Sequence, residues 1–161
     1  MTKRLLAVFV VLLVSAPAAF ANGLPPGGTF IDDNGNVHEG NIEAIAAEGI
    51  TKGCNPPTNN RYCPEEPVSR GQMAAFINRA LGLPASGVDY FDDDEDSIFE
   101  SDINALAAAG ITTGCGPDTF CPNGLVKREQ MAAFLVRALG LTSNDGSEFS
   151  DVPSSNIFRT D

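Results

Sequence analysis

The chain has 161 residues, with 21 acidic side chains against 10 basic ones and a formal net charge of −11. That excess of negative charge argues against nucleic acid and against an anionic membrane surface as partners. The length bounds the chain to one modest domain or two to three small units.

In chain order, residues 1–21 read as a secretory signal peptide. Lys3 and Arg4 form a charged start, Leu5 to Val14 an apolar run, and Ala19-Phe20-Ala21 a small-residue cleavage site before Asn22. The apolar run is about half the ~20 residues a membrane-spanning helix needs, and no later segment is apolar enough to span. No membrane span is therefore expected after cleavage. Loss of Lys3 and Arg4 leaves 8 basic residues against 21 acidic, a formal charge of −13. Four cysteines in an exported chain read as two disulfides.

The rest of the chain repeats itself. Phe30 to Cys54 runs in step with Phe91 to Cys115 at an offset of 61, and 63–83 matches 121–141 at an offset of 58. A third copy opens at Glu148-Phe149-Ser150-Asp151-Val152, and the sequence stops at Asp161, before its first helix. The organisation expected is a linker at 22–28, repeat 1 at 29–83, a linker at 84–88, repeat 2 at 89–141, and a linker with the start of repeat 3 at 142–161. Repeats of this length bury their apolar faces against neighbours, so a binding array is a better first reading than an enzyme.

Each repeat is predicted to be helix, constrained loop, helix. Asn36 with Glu39, and Ser97 with Glu100, are spaced as capping boxes at the first helix. Ile42, Ile45 and Ala46 then form an apolar face matched by Ile103, Leu106 and Ala107. Gly49 and Gly110 end these helices in the left-handed conformation, with Ile50 and Ile111 folding back. The second helix carries Met73, Phe76, Ile77 and Leu81, repeated as Met131, Phe134, Leu135 and Leu139, a core face at helical spacing. Gly82 and Gly140 end it. Ser69 with Gln72 is a further capping box, whereas Lys127 in copy two loses the cap.

Between the helices, Cys54 with Cys63 and Cys115 with Cys121 bracket loops rich in Pro, Asn, Asp and Gly. The three-residue difference between the copies falls inside the bracket, as expected if the cysteines pin the ends of a loop free to vary. The pairs Cys54–Cys63 and Cys115–Cys121 are therefore expected as disulfides, each contributing about 2–3 kcal/mol. A zinc site using the cysteines and His38 is the rival, but neither pair has CxxC spacing. The acidic openings, Asp32-Asp33 and Asp92-Asp93-Asp94-Glu95-Asp96, read mainly as solvated loops. Asp32, Asn34, Asn36, His38, Gly40 and Glu43 do fall at EF-hand spacing, yet Val37 stands at the obligatory glycine and Asn104 replaces the last ligand in copy two. No metal or cofactor is assigned. No G-x-S-x-G, HExxH or other catalytic constellation appears, so no enzyme activity is expected.

These residues resemble the S-layer homology (SLH) repeat. The resemblance is carried by the opening Phe-x-Asp, by I..(I/L)A..GIT.G, by the Cys-Pro turn, by V-(S/K)-R-x-(E/Q)-M-A-A-F and by R-A-L-G-L. It covers 29–83 and 90–141 along their whole length and only the opening at 147–161. The cysteine-bracketed loop is a variant of it. The fold it implies is mainly α: tandem helix–loop–helix repeats packed side by side in an incomplete pseudo-threefold bundle, with one disulfide per repeat loop. The function it implies is non-catalytic anchoring at the cell wall or cell surface, through grooves between repeats that hold secondary cell-wall polysaccharide. The family's Thr-Arg-Ala-Glu motif falls on Ser69-Arg70-Gly71-Gln72 and on Lys127-Arg128-Glu129-Gln130, so Arg70 and Arg128, with Ser69, Gln72, Lys127 and Gln130, are the contact candidates. A guanidinium pairs with a carboxylate or phosphate through two bonds, and a helix N-terminus nearby favours anions. Without a ligand, the same arginines would be solvated or core-covering. Arg79 and Arg137 sit near helix C-termini and read as structural. Seven of the eight mature basic residues fall in 52–79 or 127–137, apart from the acidic openings, so local basic spots exist on a chain of net negative charge. The alternatives are a structural or protein–protein module of the envelope, partnered by other surface proteins or by itself, and an N-terminal piece of a longer surface protein.

Overall fold

The computed structural model describes residues 27–142, 149–152 and 155–158. The signal-peptide reading of 1–21 lies outside these residues, as do parts of the third copy. Four helices are formed: α1 Glu39–Ala47, α2 Arg70–Leu81, α3 Glu100–Ala108 and α4 Arg128–Leu139. The described residues hold no strand, only two isolated bridges. Cys54–Cys63 and Cys115–Cys121 are bonded, one disulfide per loop, and no described cysteine is free. The protein is thus mainly helical with two clipped loops.

The starts of α1 and α3 differ from the capping-box expectation. Their N-caps are His38 and Phe99, neither with a side-chain cap. Asn36 Oδ1 instead accepts from the His38 N–H at 2.8 Å, and Ser97 Oγ from the Phe99 N–H at 3.2 Å. These side chains close a turn ahead of the helix, because they stand two residues before the N-cap and do not reach N2 or N3. At α2 the box forms as expected, with Ser69 and Gln72 bonding reciprocally. At α4 half of it survives. Gln130 Oε1 accepts from the Lys127 N–H at 3.0 Å, but an ammonium has no lone pair to return. The exits of α1 and α3 follow the sequence. Gly49 and Gly110 are left-handed, at φ 69° and 71°, and the N–H groups of Ile50 and Ile111 reach Ile45 and Leu106 carbonyls at 2.9 Å.

Within each loop, the aspartate of the Phe-x-Asp opening is a clamp. Asp32 accepts from the N–H groups of Tyr62 and Cys63 at 2.8 and 3.0 Å. Asp93 does the same for Phe120 and Cys121 at 2.6 and 2.8 Å. Both clamped cysteines are left-handed, φ 59° and 60°, so a carboxylate holds the end of the loop where the backbone turns. Burial raises the Asp32 carboxyl, but the N–H donors of Tyr62, Cys63 and Asp32 itself, with the charge of Arg61, together hold the group below its usual range. The acidic openings are therefore not simply solvated, as the sequence reading had them.

The helix pairing departs from a simple hairpin. The only extensive helix–helix packing among the described residues is α2 on α3, across the junction between copies. The core follows that seam: Met73, Ala74 and Ile77 of α2 meet Ile103 and Leu106 of α3, with Ile111, Phe91, Phe120 and Phe134 around them. Gly71 permits the approach, since a Cβ there would stand 2.7 Å from the Phe99 ring. The corresponding face of α4 has no helix laid on it by the described residues. Leu135 is 46% exposed where its counterpart Ile77 is 6%, and Leu139 is exposed too. The expectation that both second helices bury these faces throughout is corrected accordingly: Ile77 and Phe134 are core, Leu135 is not, and the last position is exposed in both copies, as Leu81 at 39% and Leu139 at 62%. Ile77→Ala should thus lower unfolding free energy by about 2–5 kcal/mol, while Leu135→Ala stays within about 0.5 kcal/mol of the parent. Urea titrations of the two variants check this, and equal losses would contradict the seam.

Candidate functional site

The seam is built by the N-terminus of α2 entering the loop of the next copy. An α-helix leaves its first N–H groups without intrahelical acceptors. Here the Arg70 N–H donates to the Gly124 carbonyl at 2.8 Å and the Gly71 N–H to the Pro122 carbonyl at 2.9 Å, while the Val126 N–H reaches Val68 at 3.1 Å. The Arg70 side chain follows its backbone. Its Nε donates to the Phe120 carbonyl at 2.8 Å, and its guanidinium lies 4.7 Å from the Phe120 ring centroid and 5.5 Å from that of Phe134. Two rings at this range favour a desolvated cation by about 1–2 kcal/mol. The residue is 5% exposed, and its Nη2 is a buried donor with no hydrogen-bond partner. Further along, Asn78 Nδ2 donates to Asp102 Oδ1 at 2.6 Å.

Beside this seam runs an open groove of about 450 Å³, lined by Arg70, Thr113, Lys127, Gln130 and Arg137 and closed at one side by 155–158 of the third copy. The described part of that opening turns as its counterparts do: Asn156 Oδ1 accepts from the Phe158 N–H at 2.8 Å and its Nδ2 donates to Glu129 Oε2 at 2.7 Å. Lys127 projects into solvent, 4.0 Å from Glu129, an exposed pair of little energetic weight. The groove offers cations, amides and hydroxyls together with the carboxylate of Glu129, a mixed polar lining.

Of the six contact candidates, the structure gathers Arg70, Lys127 and Gln130 at this groove. Arg128 is exposed and does not line it, while Ser69 and Gln72 are engaged in capping α2. The two motif arginines therefore differ. Arg70 has the loop of the next copy over it and takes the core-covering role; Arg128 has no such cover among the described residues. Arg79 is structural as expected, but its Nη1 donates to the Ile50 carbonyl just past α1, 3.2 Å away, rather than to its own helix end. Arg137, expected to be structural, lines the groove. The zinc alternative fails on its donor set. The clusters that would supply it, Asp32 with Cys54 and Cys63 and Asp93 with Cys115 and Cys121, contain only disulfide sulfur. The EF-hand spacing does not converge either: Asp32 clamps its loop, Asn36 closes its turn, and Glu43 Oε1 accepts from N–H groups of Gly28, Thr29 and Phe30. The sequence reading missed the buried Asp33 and Asp94, both 0% exposed. Burial, then the negative charge of Asp89, Glu100, Asp93 and Glu95, pushes Asp94 up to about 6, and burial followed by Glu43 raises Asp33.

Tandem helical units joined by such a seam define the class, a repeat module with grooves between its copies. Residues 91–132 match the family model described as S-layer homology domain. An endoglucanase of Bacillus sp. (strain KSM-635) is 37% identical over 106 residues, 62% of this chain and 11% of that protein. A cell surface protein of Thermoanaerobacter kivui is 31% identical over 111 residues, 65% of this chain and 14% of the other. S-layer protein EA1 of Bacillus anthracis is 28% identical over 116 residues, 71% and 13% respectively. The chain spans only about a tenth to a seventh of the length of these relatives. None of the helices among the described residues is long and apolar enough to cross a membrane.

Arg70→Ala should cost about 2–4 kcal/mol, through lost ring contacts and the orphaned Phe120 carbonyl, whereas Arg128→Ala should cost under about 0.5 kcal/mol. Thermal or urea unfolding measures both. A larger loss at Arg128 would reverse the assignment.

Proposed function

We propose that this chain is a non-catalytic anchoring module of the cell surface, holding secondary cell-wall polysaccharide in the groove beside α4. The observation that carries the reading is the convergence of Lys127, Gln130 and Arg137, with the buried Arg70 guanidinium behind them and Glu129 beside Lys127, on one open groove at a junction between copies, in a chain whose net charge is −11. Basic groups collected against a negative background are what local recognition of an anionic glycan requires, since long-range attraction is absent and screening confines interactions to about 8 Å at physiological salt. The S-layer homology match and the relatives named as cell-surface and S-layer proteins support it. Repeats at 29–83 and 89–141, a third beginning within 142–161, and export through 1–21 complete the reading. The endoglucanase shares only 11% of its length with this chain, which fits an appended anchor rather than a catalytic part.

A second reading, docking of another surface protein, is favoured by one observation: Leu135, Leu139 and Leu141 are exposed along and beyond one helix, at 46%, 62% and 56%. Co-sedimentation with purified cell-wall sacculi separates the two. On the glycan reading the protein sediments, loses binding when the non-peptidoglycan polymer is stripped, and weakens about tenfold or more in Lys127→Ala/Arg137→Ala, with Arg128→Ala near the parent. Binding indifferent to stripping and to the double substitution, yet lost in Leu135→Ser/Leu139→Ser, establishes the protein-docking reading instead.

A further inference from the structure

Copy one carries the receiving half of the seam, unfilled. In copy two that half is made by Phe99 against Gly71, by the Phe120 and Pro122 carbonyls that accept from Arg70 and Gly71, and by Ile103 and Leu106. The matching positions in copy one are His38, Tyr62, Pro64, Ile42 and Ile45. All five line a single open groove of about 650 Å³ on α1. Ile45 is only half-buried there, whereas Leu106 is 0% exposed, because no described helix lies on α1 as α2 lies on α3.

The entering half is left over on α4. Met73, Ala74 and Ile77 are buried in the seam, but of their counterparts Ala132 and Leu135 are exposed and Met131 is half-buried. The Arg70 and Gly71 N–H groups find carbonyls in the next copy, while those of Arg128 and Glu129 meet none among the described residues. One pairing shows that the α1 groove suits this helix start in particular. Asn156 of the third opening donates to Glu129 Oε2 at 2.7 Å, and Asn36 stands at the same position in copy one, its Oδ1 closing the same turn at 2.8 Å. Copy two has Ser97 there, and the helix it meets begins with Gly71 in place of the glutamate. Charge agrees: Lys127 and Arg128 lead α4, and Glu65 edges the groove.

We propose that copies of this chain associate head to tail, α4 of one seated in the α1 groove of the next, with Asn36 of the second copy taking the place of Asn156 on Glu129. A contact between two different surfaces leaves one of each free at the ends, so further copies can add. The chain's own third opening is the competitor, held to α4 through Asn156 while Ile157 stays 80% exposed. The inference rests on the protein-docking reading of α4 and names its occupant; the glycan plays no part in it.

Sedimentation equilibrium of the purified protein, with no sacculi present, tests this. The weight-average mass should rise with concentration past that of one chain. Ala132→Glu/Leu135→Glu on α4, or His38→Glu/Asn41→Glu at the groove, should each weaken association about tenfold or more. All four side chains are exposed, so the fold tolerates the changes. Mixing the two double variants should restore one-to-one dimers that grow no further, because each keeps the half the other lacks. Asn156→Ala should tighten association, by releasing Glu129 from the third opening. A protein that stays monomeric at all concentrations, as the parent and as Asn156→Ala, overturns the proposal, while docking of a different surface protein is still read from the sacculi. Association undiminished in His38→Glu/Asn41→Glu overturns it too, since a symmetric contact of α4 with α4 would behave so. A mixture of the double variants that forms no dimer is equally fatal.

Discussion

The structure depends on one act of insertion, the seating of the first turn of α2 in the loop that follows α3. Backbone donors at 70 and 71 meet carbonyls of 124 and 122, and the guanidinium of Arg70 goes in between two phenylalanine rings. Helix ends are where a chain has orphan donors to satisfy, and here the next copy supplies the acceptors. Once that contact is made, the remainder is constrained. Gly71 brings Phe99 against the helix, Met73 and Ile77 face Ile103 and Leu106, and Asn78 meets Asp102 one turn further on. Copies joined in this way gain stability from the interface as much as from their own interiors, the nearest-neighbour behaviour of repeat proteins.

That dependence explains why identical motifs have different fates. Arg70 and Arg128 stand at the same place in the pattern, as do Ile77 and Leu135, yet only the first of each pair is covered. Context, not identity, decides whether a guanidinium is a strut or a surface cation. The groove next to α4 is the counterpart of this: Lys127, which in copy one is Ser69 engaged in a cap, borders open space beside Gln130.

Much of the fold was legible in the residues because its determinants are local. The duplicated pattern placed all four helices, the glycines at 49 and 110 ended two of them by the expected bonds, and the loop cysteines closed on each other within their brackets. What could not be read was partnership. Periodicity gives a helix an apolar face but does not say which helix it meets, so the pairing of α2 with α3 rather than α1 had no signature in a single repeat. The same limit applied to the aspartates. Asp32 and Asp33 are neighbours of the same type, and the turn sends one to two N–H donors and the other inward with none. One signal was available for the first: Phe-x-Asp recurs in all three openings, as Asp32, Asp93 and Asp151, which marks a role in the frame itself. For the candidate site, the motif led to Arg70, Lys127 and Gln130, while Arg137 was found only because α4 turns it to the same side.

The pairing of α2 with α3 also means that the smallest piece able to fold by itself is out of phase with the written period. A cut in 84–88 would fall between two helices that need each other, and the halves would reassociate as a nicked whole. Removal of everything up to Cys63 would instead leave the downstream part, α2 through α4, with the seam's interior intact. Evolution counting copies by sequence and the chain counting them by packing therefore use different frames, half a unit apart.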